Sequence, residues 1–150
     1  MQTAAELIKS FKTILDIVQG ILIAIAAISL MVGGVGIMNT MYTSVLERTR
    51  EIGIMKAIGA KNSQILTLFL IEAGLIGIVG GIIGIILGVG LSKIAVIIIG
   101  QALKTDLIQA SFPLVLIVGS LLFSFLVGAA SGILPAIQAS KLKPVDALRK

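Results

Sequence analysis

The chain has 150 residues, of which 57% are hydrophobic and 13% are charged, and its mean hydropathy is +1.15. Soluble domains carry about 25% charged residues, so the charge here is too sparse to cover a globule, and a bilayer is the more natural solvent. The chain has no Cys, which excludes disulfides and thiolate sites, and no His, the commonest metal ligand and general base. We therefore predict a membrane protein without a catalytic, cofactor or metal site.

The N-terminal segment predicts an amphipathic helix over 3–18 that leads into the first apolar stretch. Thr3 and Glu6 have the spacing of a capping box. The apolar residues that follow recur at helical spacing. They are Leu7, Ile8, Phe11, Ile14, Leu15 and Val18. An interfacial helix without a specific role is an equally good interpretation.

Three charge-free windows organise the chain, at 17–46, 73–92 and 107–140. Each contains the roughly 20 apolar residues that a helix needs to cross about 30 Å of hydrocarbon. The predicted fold class is an all-α membrane protein with three transmembrane helices. The expected spanning parts are about 20–44, 70–98 and 112–138. A C-terminal tail over 139–150 follows, with a short helix near Pro144, because proline suits the first turn of a helix.

The distribution of Lys and Arg predicts an orientation. The connection between the first two windows and the C-terminal tail together carry eight of these residues, whereas the N-terminal segment and the second connection carry four. The positive-inside rule places the richer side in the cytoplasm. We therefore expect a multi-pass protein of the cell (cytoplasmic) membrane, with its N-terminus outside and its C-terminus in the cytoplasm.

The apolar windows lack the groups that several classes of membrane protein need. None has an ionisable residue near its centre, where proton relays, voltage sensors and ion-coupled carriers usually place one. The chain also lacks the G-x-x-x-x-G-K-[ST] motif of a P-loop. An enzyme is therefore disfavoured, and if ATP drives the protein, we expect a partner to hydrolyse it.

Small residues form rows in the second and third windows. Such rows let helix backbones approach closely, which favours helix association in lipid. Packing against a second chain and packing within the chain are equally good interpretations. The candidate packing residues are Gly77, Gly80, Gly81, Gly84, Gly88, Ser120, Ser124, Gly128 and Gly132.

The connection VLERTREIGIMKAIGA, residues 45–60, places four charges within five residues between two apolar windows. Its apolar spacing predicts a short helix over about 50–58, with Gly59 at the position of a C-cap. Asn62 or Ser63 is expected to cap the next helix. The residues alone favour an interfacial helix against anionic lipid over a docking element for a cytoplasmic protein.

The run GGVGIMNTM at 33–41, followed by SVLERTREIGIMKAIGA at 44–60, closely resembles the FtsX-like permease domain of MacB-type ABC transporters. LPA at 134–136 and KPVDALR at 143–149 resemble the end of the same family. The resemblance implies that the short helix is a coupling helix, which docks on a cytoplasmic ATP-binding subunit. It also implies a homodimer or pairing with another permease chain, and a protein that binds no nucleic acid.

Carried over onto this sequence, the resemblance makes the chain a permease subunit or fragment that couples ATP hydrolysis in a partner to helix motion, in export or mechanotransmission. The two arginines of the motif would offer charged contacts, and its apolar residues would fill a groove of the ATPase. The docking residues would be Glu47, Arg48, Arg50, Glu51, Ile54, Met55, Lys56 and Ile58. The alternative is a small structural or regulatory membrane protein without transport activity.

The chain departs from the family pattern in one respect. Family members have four spans, with an extracytoplasmic domain between the first and the second, whereas this chain begins close to the second span. We therefore expect either a fragment or a truncated or split permease. The family covers export of drugs and peptides, lipoprotein release and control of cell-wall hydrolysis, and the residues do not choose among them.

Overall fold

The computed structural model describes residues 4–103 and 112–143, and this part of the chain forms five helices. They are α1 (Ala4–Glu47), α2 (Thr49–Ala57), α3 (Asn62–Leu103), α4 (Leu114–Ser131) and α5 (Ile133–Lys141). The short helix predicted near Pro144 lies outside the described residues.

Three of these helices are long and apolar enough to cross a membrane: α1 from Glu6, α3 as far as Gln101, and α4. Even the shortest, α4, has 18 residues, which span about 27 Å at 1.5 Å per residue and nearly match a hydrocarbon core of about 30 Å. The predicted all-α class with three membrane-spanning helices is confirmed. The expected spanning parts 20–44 and 70–98 fall inside α1 and α3.

The chain divides into two compact units, Met1–Gly36 and Ile37–Lys150. The described residues of the first unit form a single helix without a break between the lead-in segment and the apolar stretch. Its large apolar side chains are exposed, including those of the predicted lead-in stripe from Leu7 to Val18. Within this unit, therefore, the stripe is not covered by protein.

The second unit contains the hydrophobic core of the described residues, which we call the α2 core. Apolar side chains from four helices meet there, and each is at most 5% exposed. The α2 core consists of Met41 and Val45 of α1, Ile52 of α2, Ile65, Phe69 and Ala73 of α3, and Ala136 and Ala139 of α5. The last turns of α1 and the first turns of α3 thus share one core with α2 and α5.

Glycines bring α3 and α4 together along a second contact, the α3–α4 seam, formed by Gly77 and Gly81 of α3 and Ser124 and Gly128 of α4. A Cβ on Gly77 would overlap the Ser124 carbonyl oxygen, and one on Gly81 would lie 2.6 Å from the Ser124 Oγ. A Cβ on Gly128 would lie 2.6 Å from the carbonyl oxygen of Ala73. The helices therefore touch backbone to backbone, as rows of small residues allow.

The remaining candidate packing residues include an open row of glycines and one further glycine that lies close to α3. A Cβ on Gly80, Gly84 or Gly88 would meet no atom within 4 Å, so this row is open. Ser120 is half-buried, and its hydroxyl donates to the Leu116 carbonyl of its own helix. A Cβ on Gly132 would overlap the side chain of Ala73.

The third apolar window is two helices, and not the one continuous span predicted over 112–138. It starts at Leu114, after Pro113, and is interrupted at Gly132, which ends α4 and precedes α5. Pro135 explains the interruption, because its ring would clash with the Ser131 carbonyl four residues earlier in a continuous helix. In the first turn of α5 its missing N–H costs no intrahelical bond.

Candidate functional site

The junction before α2 is short and well hydrogen-bonded. α1 ends at Glu47 and α2 begins at Thr49, so only Arg48 separates them. The Arg48 N–H donates to the Ser44 carbonyl and the Ile52 N–H donates to the Arg48 carbonyl, each at a distance of 3.0 Å. The Thr49 hydroxyl donates to the Val45 carbonyl at 2.9 Å. The chain therefore enters α2 through a bend with its backbone groups paired.

α2 ends in a Schellman motif built around Gly59. This glycine has a φ of +104°, a conformation that residues with a Cβ rarely adopt. The Ala60 N–H donates to the Met55 carbonyl at 3.0 Å and the Gly59 N–H donates to the Lys56 carbonyl at 3.1 Å. The prediction that Gly59 ends the helix is confirmed, and α2 is a separate nine-residue element.

The start of α3 differs from the prediction. The Gln64 and Ile65 N–H groups donate to the Lys61 carbonyl, which places Lys61 at the N-cap. The Gln64 Oε1 accepts from the Lys61 N–H at 2.8 Å, which is the glutamine half of a capping box. The expectation that Asn62 or Ser63 caps α3 is therefore wrong. The N-cap is Lys61, one residue before Asn62, and its backbone N–H donates to the Gln64 side chain.

Three of the predicted docking residues contact other long or C-terminal helices, α3 and α5, or the α2 core. The Arg48 guanidinium lies 3.2 Å from Glu72 of α3 and 3.3 Å from Glu51 of α2. Met55 is half-buried and packs against the α2 core. Lys56, also half-buried, donates to the carbonyl oxygens of Ser140 at 2.5 Å and Leu142 at 2.8 Å. These residues hold α2 in place.

The other five lie on the exposed side of α2 and its junction. Arg50, Ile54 and Ile58 follow one another at i, i+4 and i+8, so they form a single stripe along the helix. Ile54 is 47% and Ile58 is 82% exposed. Glu47 and Glu51 are exposed beside these three residues, and Glu51 also pairs with Arg48. We call these five residues the outer stripe, and together they offer two apolar side chains among three charges.

A cavity of about 370 Å³ lies beside α2, between it and the first turns of α3. Its lining comprises Arg48, Glu51, Ile52, Ile54, Met55, Leu68 and Phe69. Leu68, which is 49% exposed, was missed by the sequence analysis. The only sequence signal for Leu68 is that it is an apolar residue in the helical segment that precedes Glu72. Such a residue is also typical of the entry to a membrane span. The cavity wall is mostly apolar, with one cation and one anion.

The candidate site offers little to a metal or cofactor. Within 4–103 and 112–143, no group of three or more acidic, His or Cys residues is placed to hold a metal ion. The site itself presents exposed isoleucines and charged side chains.

A short helix between two membrane-spanning helices, with the third span α4 packed against α3, makes this chain a multi-pass membrane protein. Residues 23–144 match the C-terminal domain of the FtsX-like permeases, and the chain therefore belongs to the FtsX-like permease family. The resemblance inferred from the sequence is confirmed.

Curated relatives agree with this assignment. The chain is 43% identical over 147 residues to the uncharacterized ABC transporter permease MJ1507 of Methanocaldococcus jannaschii, covering 98% of this chain and 37% of that protein. It is 47% identical over 149 residues to the uncharacterized permease YvrN of Bacillus subtilis, covering 99% and 34%. Over 129 residues it is 47% identical to the macrolide export ATP-binding/permease protein MacB of Bdellovibrio bacteriovorus, covering 86% and 19%. The chain thus spans 19% to 37% of the length of these relatives.

Proposed function

We propose that this chain is the permease part of an ABC transporter, in which an ATP-binding partner hydrolyses ATP and moves the membrane helices through α2. The observation that carries the proposal is the division of α2 into two sides. One side is fixed to three other helices through Ile52, Met55 and Lys56, and the other exposes the outer stripe. In support, the MacB relative is named as both an ATP-binding and a permease protein.

The outer stripe has the chemistry of a helix-in-groove contact. Ile54 and Ile58 expose apolar surface on a helix that also carries Arg50 and Glu51, so lipid alone suits it poorly. A groove on a protein partner covers such anchors and also pairs their neighbouring charges. We assign ATPase contact to Glu47, Arg50, Glu51, Ile54 and Ile58, and the positioning of α2 to Arg48, Met55 and Lys56.

Copurification with the ATP-binding partner tests this assignment. Ile54→Asp and Arg50→Glu should each weaken binding at least about tenfold, the loss expected when a contact worth over about 1.4 kcal/mol is removed. Lys61→Glu is the control, because Lys61 is also basic and exposed but lies outside α2. Met55→Asp should instead lower the free energy of unfolding, since it places a charge against the α2 core.

Normal binding by both Ile54→Asp and Arg50→Glu would contradict docking through the outer stripe. A wild-type chain that binds no ATP-binding protein and changes no ATP hydrolysis would favour the alternative function, a structural or regulatory membrane protein.

We place α2 in the cytoplasm and the N-terminus outside. The support is the eight-to-four distribution of Lys and Arg between the two sides. Reporter fusions after Lys150 and Lys104 should show cytoplasmic and external locations, respectively, and the reverse pattern would overturn the orientation.

We further propose that the permease works as a pair of chains, and that the open row of Gly80, Gly84 and Gly88 is where the second chain packs. In support, a Cβ on any of these three glycines would meet no atom within 4 Å in the described part of the chain, unlike a Cβ on the glycines of the seam. Gly84→Leu should lower the fraction of chains captured as cross-linked pairs in membranes, whereas Ile83→Leu, at the neighbouring exposed position, should not. Equal capture of both variants would place the interface elsewhere.

A further inference from the structure

Lys56 makes a contact that the docking assignment does not use. Its Nζ donates to the Ser140 carbonyl at 2.5 Å and to the Leu142 carbonyl at 2.8 Å. Because α5 ends at Lys141, these acceptors belong to the end of α5, where helix carbonyls lack intrahelical partners. A cation is also favoured there by the helix dipole. Lys56 therefore caps α5 from a different helix, 84 residues away from Ser140 in the sequence.

The apolar part of the same contact is fully buried. Ile52 of α2 and Ala136 and Ala139 of α5 are each 0% exposed, and Ser140 is 6% exposed. The Ser140 hydroxyl donates to the Ile137 carbonyl of its own helix, and the Ser140 carbonyl accepts from Lys56. α2 and α5 thus contribute to the same core and are joined by two charged hydrogen bonds.

The link between α2 and α3 is more exposed. It depends on the pair of Arg48 and Glu72, whose side chains are 50% and 36% exposed and are therefore partly screened by solvent. Lys56 is half-buried, and its acceptors are backbone atoms that move only when α5 moves. Of the Arg48 and Lys56 links, only that of Lys56 starts within α2 and ends on backbone atoms.

From this contact we infer that Lys56 is a positioning residue that fastens α2 to α5, so that displacement of α2 passes into the third membrane-spanning segment. The inference rests on the proposed function, in which the ATP-binding partner displaces α2. The route is short, because α5 joins α4 at the single residue Gly132. The outer stripe receives the partner, and Lys56, on the opposite side of α2, transmits the movement.

Distance measurements on the full chain in lipid nanodiscs test the link without any ATPase. The chain contains no Cys, so spin labels can be placed on Cys introduced at the exposed residues Ala57 and Lys141, with Ala57 and Thr67 as the reference pair. Lys56→Met keeps the apolar stem but removes the donors, and it should broaden the 57–141 distance distribution at least about twofold, as expected when a charged hydrogen bond is lost. Lys56→Arg keeps donors and should leave the distribution narrow.

Two results of that measurement would overturn the link. One is a 57–141 distribution as narrow in Lys56→Met as in the wild type. The other is broadening of both pairs, or equal broadening in the matched control Lys61→Met, because either would show a general loss of structure. The expected result is broadening of the 57–141 pair alone, in Lys56→Met alone.

A second experiment, with the copurifying ATP-binding partner, tests transmission. Lys56→Met should change binding of the partner by less than about twofold while the stimulation of ATP hydrolysis falls roughly tenfold, the size expected from losing charged hydrogen bonds. Unchanged stimulation would overturn the transmitting role, and lost binding would make Lys56 a docking residue. If the wild-type chain bound no partner, the proposed function itself would fail, and the distances alone would still decide whether Lys56 joins α2 to α5.

Discussion

The α2 core and the α3–α4 seam hold the same protein together by opposite means. The α2 core fills space with large side chains, among which Phe69, Met41 and Ile52 are fully buried. The seam instead depends on missing side chains, so that Gly77 and Gly128 bring two backbones into contact. Water drives apolar groups together near the charged connection, whereas in lipid the hydrocarbon competes equally well for them, and close backbone contact decides.

The largest effect on the free energy of unfolding should come from removing a large side chain from the α2 core. Phe69→Ala should lower the free energy of unfolding by about 3–5 kcal/mol, because it removes a buried ring and leaves a cavity. The matched change Phe123→Ala, on an α4 side chain that is 56% exposed, should cost less than about 1 kcal/mol, since lipid can replace the ring. Unfolding titrations in mixed micelles measure both values. Equal losses would mean that the two regions are not packed differently.

A smaller effect is expected from adding one methyl group to the seam. Gly77→Ala should destabilise the protein by about 1–3 kcal/mol, because the new Cβ would overlap the Ser124 carbonyl and push α3 and α4 apart. Gly84→Ala meets no atom within 4 Å and should be neutral or stabilising by up to about 1 kcal/mol, since alanine favours the helix. The same unfolding titration, run on the monomer, measures the free energy of unfolding of both variants. A cost for Gly84→Ala as large as for Gly77→Ala would contradict the seam.

The smallest effect concerns the exposed link between the α2 region and α3. A double-mutant cycle of Arg48→Met and Glu72→Gln should give a coupling of about 0.2–1 kcal/mol, because the pair is partly exposed. The coupling should decrease at high salt, where exposed charges are screened. A cycle of Arg48→Met with Glu47→Gln is the control, since Glu47 forms no ion pair within the described residues. Equal coupling in both cycles would show that the Arg48–Glu72 contact contributes nothing specific.

Much of the fold could be predicted because membrane spans and helix ends follow local rules. The charge-free windows indicated three spanning helices, and Gly59 marked the end of α2 because a left-handed residue was needed there. The interruption at Gly132 also had a local signal in Pro135, but the apolar run around it suggested a continuous span.

Some of the predicted packing glycines lie in the seam and others in the open row, and some of the predicted docking residues face the protein and others are exposed. Which neighbour each helix face meets decides this, and sequence spacing does not carry that information. Gly77 and Gly84 look alike in the sequence, yet only Gly77 lies against α4. Likewise, Lys56 resembles Arg50 as a cation in a short helix, but its partners are backbone carbonyls 84 and 86 residues away. Backbone acceptors leave no mark on the sequence, so its role could only be found in the structure.

The distance along the chain between α2 and α5 has a consequence for biosynthesis. A ribosome makes α2 early, but Ala136, Ala139 and Ser140, against which α2 packs, are added about eighty residues later, after α3 and α4. Closing the α2 core must wait for these residues, since non-local contacts form only when both partners exist. A nascent chain therefore has an incompletely packed α2 core until α5 is made.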